Sequence, residues 1–278
     1  MGAARSCIAA GLPTFGVGIS DTACAALRDA GAVAAGPDGR GFASRLDAVL
    51  VLVVNAAQVE AVLFGEAGIA SALRPGTTVM ISATIAPQDA RRFGAMLAER
   101  GLVMLDAPVS GGTPGAEAGT LAIMVGGDVH DLHRAKPVMQ VLGQRVTHMG
   151  AVGAGQVTKA CNQMIVACNA LVIAEVIALA ERSGVDTRLL AEALAGGFAD
   201  SKPLQILAPQ MAASTYQPVK WHVRTLLKDL DNAVKLSREQ GAATPISGLA
   251  AQLMRLHASQ GFLDQDPSTL VEQYRSKP

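Results

Sequence analysis

Strand and helix signals alternate through the first 150 residues of the chain, and then the strand signals stop. Residues 14–19 read as a short strand and 21–29 as a helix, with Ser20 or Asp21 placed to cap it. Residues 47–54 (Asp-Ala-Val-Leu-Val-Leu-Val-Val) form a continuous apolar run, typical of a strand buried on both faces of a parallel sheet. A helix over 56–64, a strand over 78–82 and a helix over 87–100 follow, with Pro87 in the first turn of the last. Strands at 102–105, 121–125 and 146–148 come next, the last two separated by a helix over 129–142. Such alternation predicts a parallel α/β sheet over residues 1–152. The segment 156–183 is apolar almost all round, which predicts a long buried helix. At ~1.5 Å per residue it runs about 40 Å, enough to join two domains. Helices at 187–195, 202–213, 223–240, 245–259 and 268–276 make residues 153–278 all-helical. The predicted fold class is therefore α/β, a parallel-sheet domain followed by an all-α domain and joined to it by a long helix.

Composition narrows the function. Half of the 278 residues are hydrophobic and 17% are charged, which excludes a disordered chain. Aromatic residues make up only 3%, so the core is built from Ala, Val, Leu, Ile and Met. The 23 basic and 23 acidic residues cancel, and no basic stripe is present, which speaks against a nucleic-acid partner. Cys7, Cys24, Cys161 and Cys168 form no C-x-x-C pair and read as reduced thiols of a cytoplasmic protein. The start lacks the long apolar stretch of a signal peptide. The longest uncharged apolar run, 160–174, is shorter than the roughly 20 residues of a membrane span and contains Asn162, Gln163 and Asn169. No membrane partner is expected.

Four segments carry chemistry. Asp106-Ala-Pro-Val-Ser110-Gly111-Gly112-Thr-Pro-Gly115 follows a strand, and open α/β sheets bind ligands at such strand ends. Ser110 offers a hydroxyl, and the N–H groups of Gly111 and Gly112 can approach a small carboxylate closely. An ordinary Gly/Pro turn gives the same pattern. In Gly153-Ala-Gly155-Gln-Val-Thr-Lys159-Ala-Cys-Asn162-Gln163, the residues Lys159, Asn162 and Gln163 share one helical face. A buried lysine is costly unless paired or used, and desolvation lowers its pKa toward the range of acid–base catalysis. A lysine snorkelling to water is the bland alternative. Lys228-Asp229 on a later helix reads, alone, as a solvated pair. Ser82-Ala-Thr84-Ile-Ala-Pro87, alone, reads as a helix-capping loop. His130 and His133 stand one turn apart without a third ligand, so no metal site is expected. No G-x-S-x-G or G-x-x-x-x-G-K-[ST] motif occurs.

Together these segments resemble the β-hydroxyacid dehydrogenase family. Residues 106–112 and the following Gly119-Thr-Leu-Ala-Ile-Met-Val-Gly-Gly127 resemble its substrate loop, residues 153–163 its catalytic helix, and Lys228-Asp229-Leu230 its cofactor-side lysine motif. Gly196-Gly-Phe-Ala-Asp-Ser-Lys-Pro-Leu204 looks most like the branch acting on tartronate semialdehyde (2-hydroxy-3-oxopropionate). Leu50-Val-Leu-Val-Val-Asn55 and the stretch around 63–65 look more like the branch acting on L-threonate. The resemblance covers nearly the whole chain.

It implies a Rossmann domain, a long linking helix and an all-α domain that builds a homodimer or homotetramer. Lys159 then matches the catalytic lysine. Ser110, Gly111 and Gly112 match the groups that hold the substrate carboxylate, and Asn162 and Gln163 the pair that orients the substrate. Thr84 and Lys228 match cofactor contacts, and Val54 and Asn55 the loop passing the cofactor. The implied reaction is NAD(P)-dependent interconversion of a small 3-hydroxy acid and its semialdehyde or keto form. Tartronate semialdehyde comes first as substrate, with L-threonate or 3-hydroxyisobutyrate as alternatives. Lys159 exchanges the proton while hydride passes to or from the nicotinamide.

Two departures from the family stand out. The glycine fingerprint G-x-G-x-x-G is incomplete: Gly2 matches its third glycine, and the preceding strand and first two glycines are missing from the sequence. Gly18 ends the 14–19 strand where an acidic residue for the ribose is common; Asp21 is the nearest substitute. No arginine follows that strand to meet a 2′-phosphate, which favours NAD over NADP without excluding the latter. The incomplete fingerprint also leaves a rival of another class, a truncated, catalytically silent dimerising protein.

Overall fold

The computed structural model describes residues 1–275. They form two compact units, one spanning Met1–Lys159 and one starting at Ala160. The first unit is the α/β one. It opens with helix α1 (Gly2–Ala9), strand β1 (Phe15–Val17), helix α2 (Asp21–Asp29), strand β2 (Ala34–Gly36) and the short helix α3 (Arg40–Ala43). Ser20 does cap α2, its side chain accepting the Ala23 N–H. Then come β3 (Ala48–Val51), α4 (Ala56–Phe64), β4 (Thr78–Ile81), α5 (Pro87–Ala98) and β5 (Val103–Asp106). The unit continues with β6 (Val109–Ser110), α6 (Gly112–Glu117), β7 (Ala122–Gly126), α7 (Val129–Leu142) and β8 (Arg145–Gly150).

β3, β4 and β5 pair in parallel, in the register Ala48↔Thr78 and Thr78↔Val103. β4 lies at the centre of this trio and is buried along its length. The burial on both faces expected of the 47–54 run is corrected: β3 is only half-buried and ends at Val51, with Leu52 and Val54 exposed, because it stands at the edge of its sheet. Its successive side chains feed two cores. Val79 and Ile81 join Val59, Leu63, Phe93 and Leu97 on one face, and Met80 joins Leu105, Ile123, Met139 and Leu142 on the other.

The sheet is not parallel throughout. β7 runs antiparallel to β5 at Asp106↔Gly126 and to β6 at Val109↔Ile123, while β8 returns to parallel pairing on β7. β6 continues in the direction of β5, and the chain reverses between β6 and β7 through the short helix α6, not a long crossover. β1 pairs only with β2, in a separate two-stranded parallel sheet. The parallel strands therefore lie in two pieces, and no described strand joins β1 to β3.

Sequence reading missed α1, β2, α3, β6 and α6. Ala34-Ala-Gly36 has little β propensity, and α1 has no side-chain cap. α1 is held instead by close packing: a Cβ on Gly2 would stand 3.0 Å from Glu117 Cγ. The capping role read for 82–87 is also corrected, because the N-cap of α5 is Ala86, which gives no side-chain cap, and Pro87 occupies the first turn.

Helix α8 (Ala154–Arg182) ends the first unit and starts the second. The second unit adds α9 (Leu190–Leu194), α10 (Lys202–Ala212), α11 (Val223–Glu239), α12 (Pro245–His257) and α13 (Glu272–Arg275). Of the helix expected over 268–276, the described part is a tight turn at Pro267–Val271 followed by α13; residue 276 lies outside the described residues. The core gathers Ala167, Leu171, Ala174 and Ile177 of α8 with Leu207 and Met211 of α10, Leu226 and Leu230 of α11 and Met254 of α12.

By length and composition α8 is apolar enough to cross a membrane, but its inner face makes this core. Burial all round was expected and is corrected: Cys161, Ile165, Val172 and Leu179 are exposed, with Ile165 at 65% and Leu179 at 68%.

Candidate active site

In the first unit, three loops leave the carboxyl ends of parallel strands. The loop after β3 holds Val54 and Asn55. Asn55 Oδ1 accepts the Gln58 N–H at 2.9 Å, and Gln58 Oε1 accepts the Val54 N–H at 2.8 Å. This reciprocal pair of bonds fixes the start of α4 and leaves the Asn55 NH2 and the second lone pair of its oxygen for a ligand. Val54 is exposed. The loop after β4 holds Thr84, partly exposed between buried Ala83 and Ile85.

After β5 comes the glycine segment. Ser110 ends β6 and is partly exposed. Gly111 at φ +133° and Gly112 at φ +62° both take conformations that a Cβ disfavours, and both are exposed. Consecutive positive-φ residues next to a hydroxyl suit a small anion better than a plain turn requires.

Asp106 is the last residue of β5. It is fully buried. Its Oδ1 accepts the Gly153 N–H at 2.7 Å and its Oδ2 accepts the Gln156 N–H at 2.8 Å. A carboxylate at the positive end of α8 satisfies N–H groups that the helix leaves unpaired. Burial pushes the Asp106 carboxyl above the ordinary range, and these N–H bonds pull it partly back. The contact is close enough that a Cβ on Gly155 would fall 2.5 Å from Met124 O and 2.7 Å from Asp106 O, so only glycine fits there. Asp106 thus ties the strand leading to Ser110 to the helix carrying Lys159. The signal was available in the sequence: an acidic residue ending a buried strand asks for a partner.

Lys159 lies one turn into α8 and is 8% exposed, so the snorkelling alternative is set aside. Asn162 and Gln163 follow on the same helical face, Asn162 partly exposed and Gln163 buried.

In the second unit, Asn162 Nδ2 donates to Gln163 Oε1 at 2.8 Å, and Gln163 Nε2 donates to Asp229 Oδ2 at 2.6 Å. Lys228 Nζ stands 3.0 Å from Asp229 Oδ1. The solvated pair read from the sequence is corrected here, because Asp229 is buried and only Lys228 reaches water. Asp229 lies on the core face of α11 with Leu226, Leu230 and Ala233, a placement its helical spacing shows. The chain of bonds fixes both amides: Gln163 cannot flip without turning its oxygen toward the carboxylate.

Residues 1–150 match a family model described as the NAD binding domain of 6-phosphogluconate dehydrogenase. Residues 153–274 match one described as the NAD-binding domain of NADP-dependent 3-hydroxyisobutyrate dehydrogenase. The chain is 35% identical over 273 residues to L-threonate dehydrogenase of Escherichia coli O6:H1, covering 98% of this chain and 90% of the relative. It is 37% identical over 226 residues to 2-hydroxy-3-oxopropionate reductase of Escherichia coli K12, covering 81% and 77%. A solved structure of 3-hydroxyisobutyrate dehydrogenase from Salmonella typhimurium superposes with a TM-score of 0.90 at 33% identity, covering 98% of this chain and 95% of that one. A Rossmann-like unit, a helical unit begun by a lysine-bearing helix, and likeness running through both place this chain in the β-hydroxyacid dehydrogenase family, as an NAD(P)-dependent oxidoreductase.

Proposed function

We propose that the chain interconverts a short hydroxylated carboxylic acid and the corresponding carbonyl compound, with Lys159 as the proton-exchanging group. The observation that carries this reading is the burial of Lys159 in the first turns of α8, which Asp106 anchors to the strand leading into the Ser110 loop.

The residues fit a dinucleotide. α1 starts at Gly2 with no side chain on its first N–H groups, which suits a pyrophosphate. Thr84, Asn55 and Val54 stand on loops at strand carboxyl ends, where nucleotides bind in open α/β sheets; in our reading Lys228 is a further cofactor contact. When bound, NAD(P) supplies hydride transfer at its nicotinamide ring. In our reading the Ser110 hydroxyl and the Gly111 and Gly112 N–H groups hold the substrate carboxylate. Asn162, with its NH2 tied to Gln163, offers its oxygen to a substrate hydroxyl. In oxidation Lys159 Nζ takes the hydroxyl proton, and in reduction it returns a proton to the carbonyl oxygen.

Reduction of tartronate semialdehyde is the first reading, supported by the 37% identity to a 2-hydroxy-3-oxopropionate reductase. Oxidation of L-threonate is the second, favoured because that likeness extends over 98% of the chain. Nicotinamide absorbance with each compound in parallel, and with 3-hydroxyisobutyrate, tests the reading. We expect one of these to exceed the others at least ~10-fold in kcat/KM, the usual discrimination for one group in a pocket. Absence of turnover with all of them overturns it.

A cytoplasmic homodimer or homotetramer completes the proposal. The exposed residues Cys161, Ile165, Val172 and Leu179, with half-buried Cys168, follow one another along α8 at spacings of four, three, four and seven residues, with exposed Glu175 inside the last gap. A second copy of the chain is the proposed cover for this seam. Sedimentation should show a dimer or tetramer, and Leu179→Glu should shift it toward monomer. A monomeric parent protein contradicts this part.

A further inference from the structure

Gln156 stands in the first turn of α8 and is 1% exposed. Its side-chain Nε2 donates to Ala83 O at 2.9 Å, and its Oε1 accepts the Ile85 N–H at 3.1 Å. Those two backbone groups flank Thr84. The backbone N–H of Gln156 is held by Asp106 Oδ2 at 2.8 Å. We propose that Gln156 is a positioning residue: it fixes the Thr84 loop to the start of α8 and so sets that loop's position relative to Lys159, three residues further on.

The chemistry of the amide supports this. Ala83 and Ile85 are buried, and α5 begins without a side-chain cap, so this loop cannot rely on water or on its own helix. A planar carboxamide offers one donor side and one acceptor side, as a neighbouring strand does. Methionine has the same reach and neither function, and a carboxylate accepts only. The role at Thr84 rests on the dehydrogenase reading; the clamp on the loop does not.

The test uses the full chain with Q156M and Q156E, and two readouts. The first is amide hydrogen exchange. In Q156M, the Ile85 amide should exchange about tenfold faster, the effect of one lost buried hydrogen bond, while β4 amides keep their protection. The second is NADH affinity, with Kd expected to rise about tenfold and the kcat of bound complex to fall less.

Q156E should resemble Q156M at neutral pH and recover toward the parent as pH falls. A protonated carboxyl regains one donor and one acceptor, whereas the ionised one faces the Ala83 oxygen. Asp106, whose carboxyl pKa is raised by burial, is present in both proteins, so the parent at each pH is the reference. Unchanged exchange at Ile85 in Q156M, or parental NADH affinity in both variants, overturns the proposal. Should Q156M not fold, the pH-dependent recovery of Q156E decides alone. If the parent itself binds no NADH, the dehydrogenase reading fails while the exchange readout still decides the clamp.

Discussion

Lys159→Ala is expected to lower kcat by about three orders of magnitude, within the range of losing a positioned acid–base group. Its Kd for NADH should stay within a few-fold of the parent, because the residues proposed for the dinucleotide are Val54, Asn55, Thr84 and Lys228. Lys159 is 8% exposed, so the alanine variant removes a buried ammonium and leaves Asp106, Gln156 and the start of α8 intact. Lys159→Met controls for the space left behind. Steady-state kinetics with the best substrate, beside NADH fluorescence titration, checks both parts. Near-parental turnover in either variant removes Lys159 from the mechanism.

Acid should destabilise the helical unit through His257. Its ring is fully buried, stacks on Phe262 with centroids 4.3 Å apart, and shares a 2.8 Å hydrogen bond between Nε2 and Thr269 Oγ1. Burial pushes its pKa down to about 4, from an ordinary value of 6.5. The neutral ring is thus favoured in the folded state. Between those two values the unfolded chain binds more protons than the folded one, so stability falls as pH is lowered through that window and levels off below it. A shift of this size corresponds to about 3 kcal/mol. Asp106, whose folded pKa is raised, works in the opposite direction as pH falls.

A variant isolates the histidine. His257→Gln keeps a partner for Thr269 and removes the titration, so its stability should fall less over the same window. The sole tryptophan, Trp221, packs against the helical core and reports this unit's unfolding. Urea midpoints read by its fluorescence from pH 7 to pH 4 make the comparison. Equal slopes for parent and variant refute it.

Long, strongly patterned elements were legible in the sequence, and close contacts were not. The apolar run around β3, Pro87 at the start of α5, Ser20 capping α2 and the switch to helices near 153 follow from local periodicity and capping chemistry. Ala34-Ala-Gly36 pairs with β1 because packing overrides a propensity too weak to predict a strand. The antiparallel placement of β7 depends on how a Gly/Pro segment reverses, which no strand signal encodes.

The site divides in the same way. Lys159, Asn162 and Gln163 announce themselves as polar residues on one face of an apolar helix. Asp106, Gln156 and Asp229 act through partners 47 to 73 residues away in sequence, as in Asp106 with Gly153 and Gln156 with Ala83. Their roles emerge only when the chain is folded. The exposed side of α8 was not legible for a related reason: apolar residues on a helix read the same in sequence whether they face the core or solvent.

Titration of the 278-residue chain with NADH, followed by nicotinamide fluorescence with NADPH in parallel, tests the central claim most directly. The account predicts saturable binding with a micromolar Kd, tighter for NADH than for NADPH. A folded chain, shown by Trp221 fluorescence and a cooperative urea transition, that binds neither dinucleotide would contradict it.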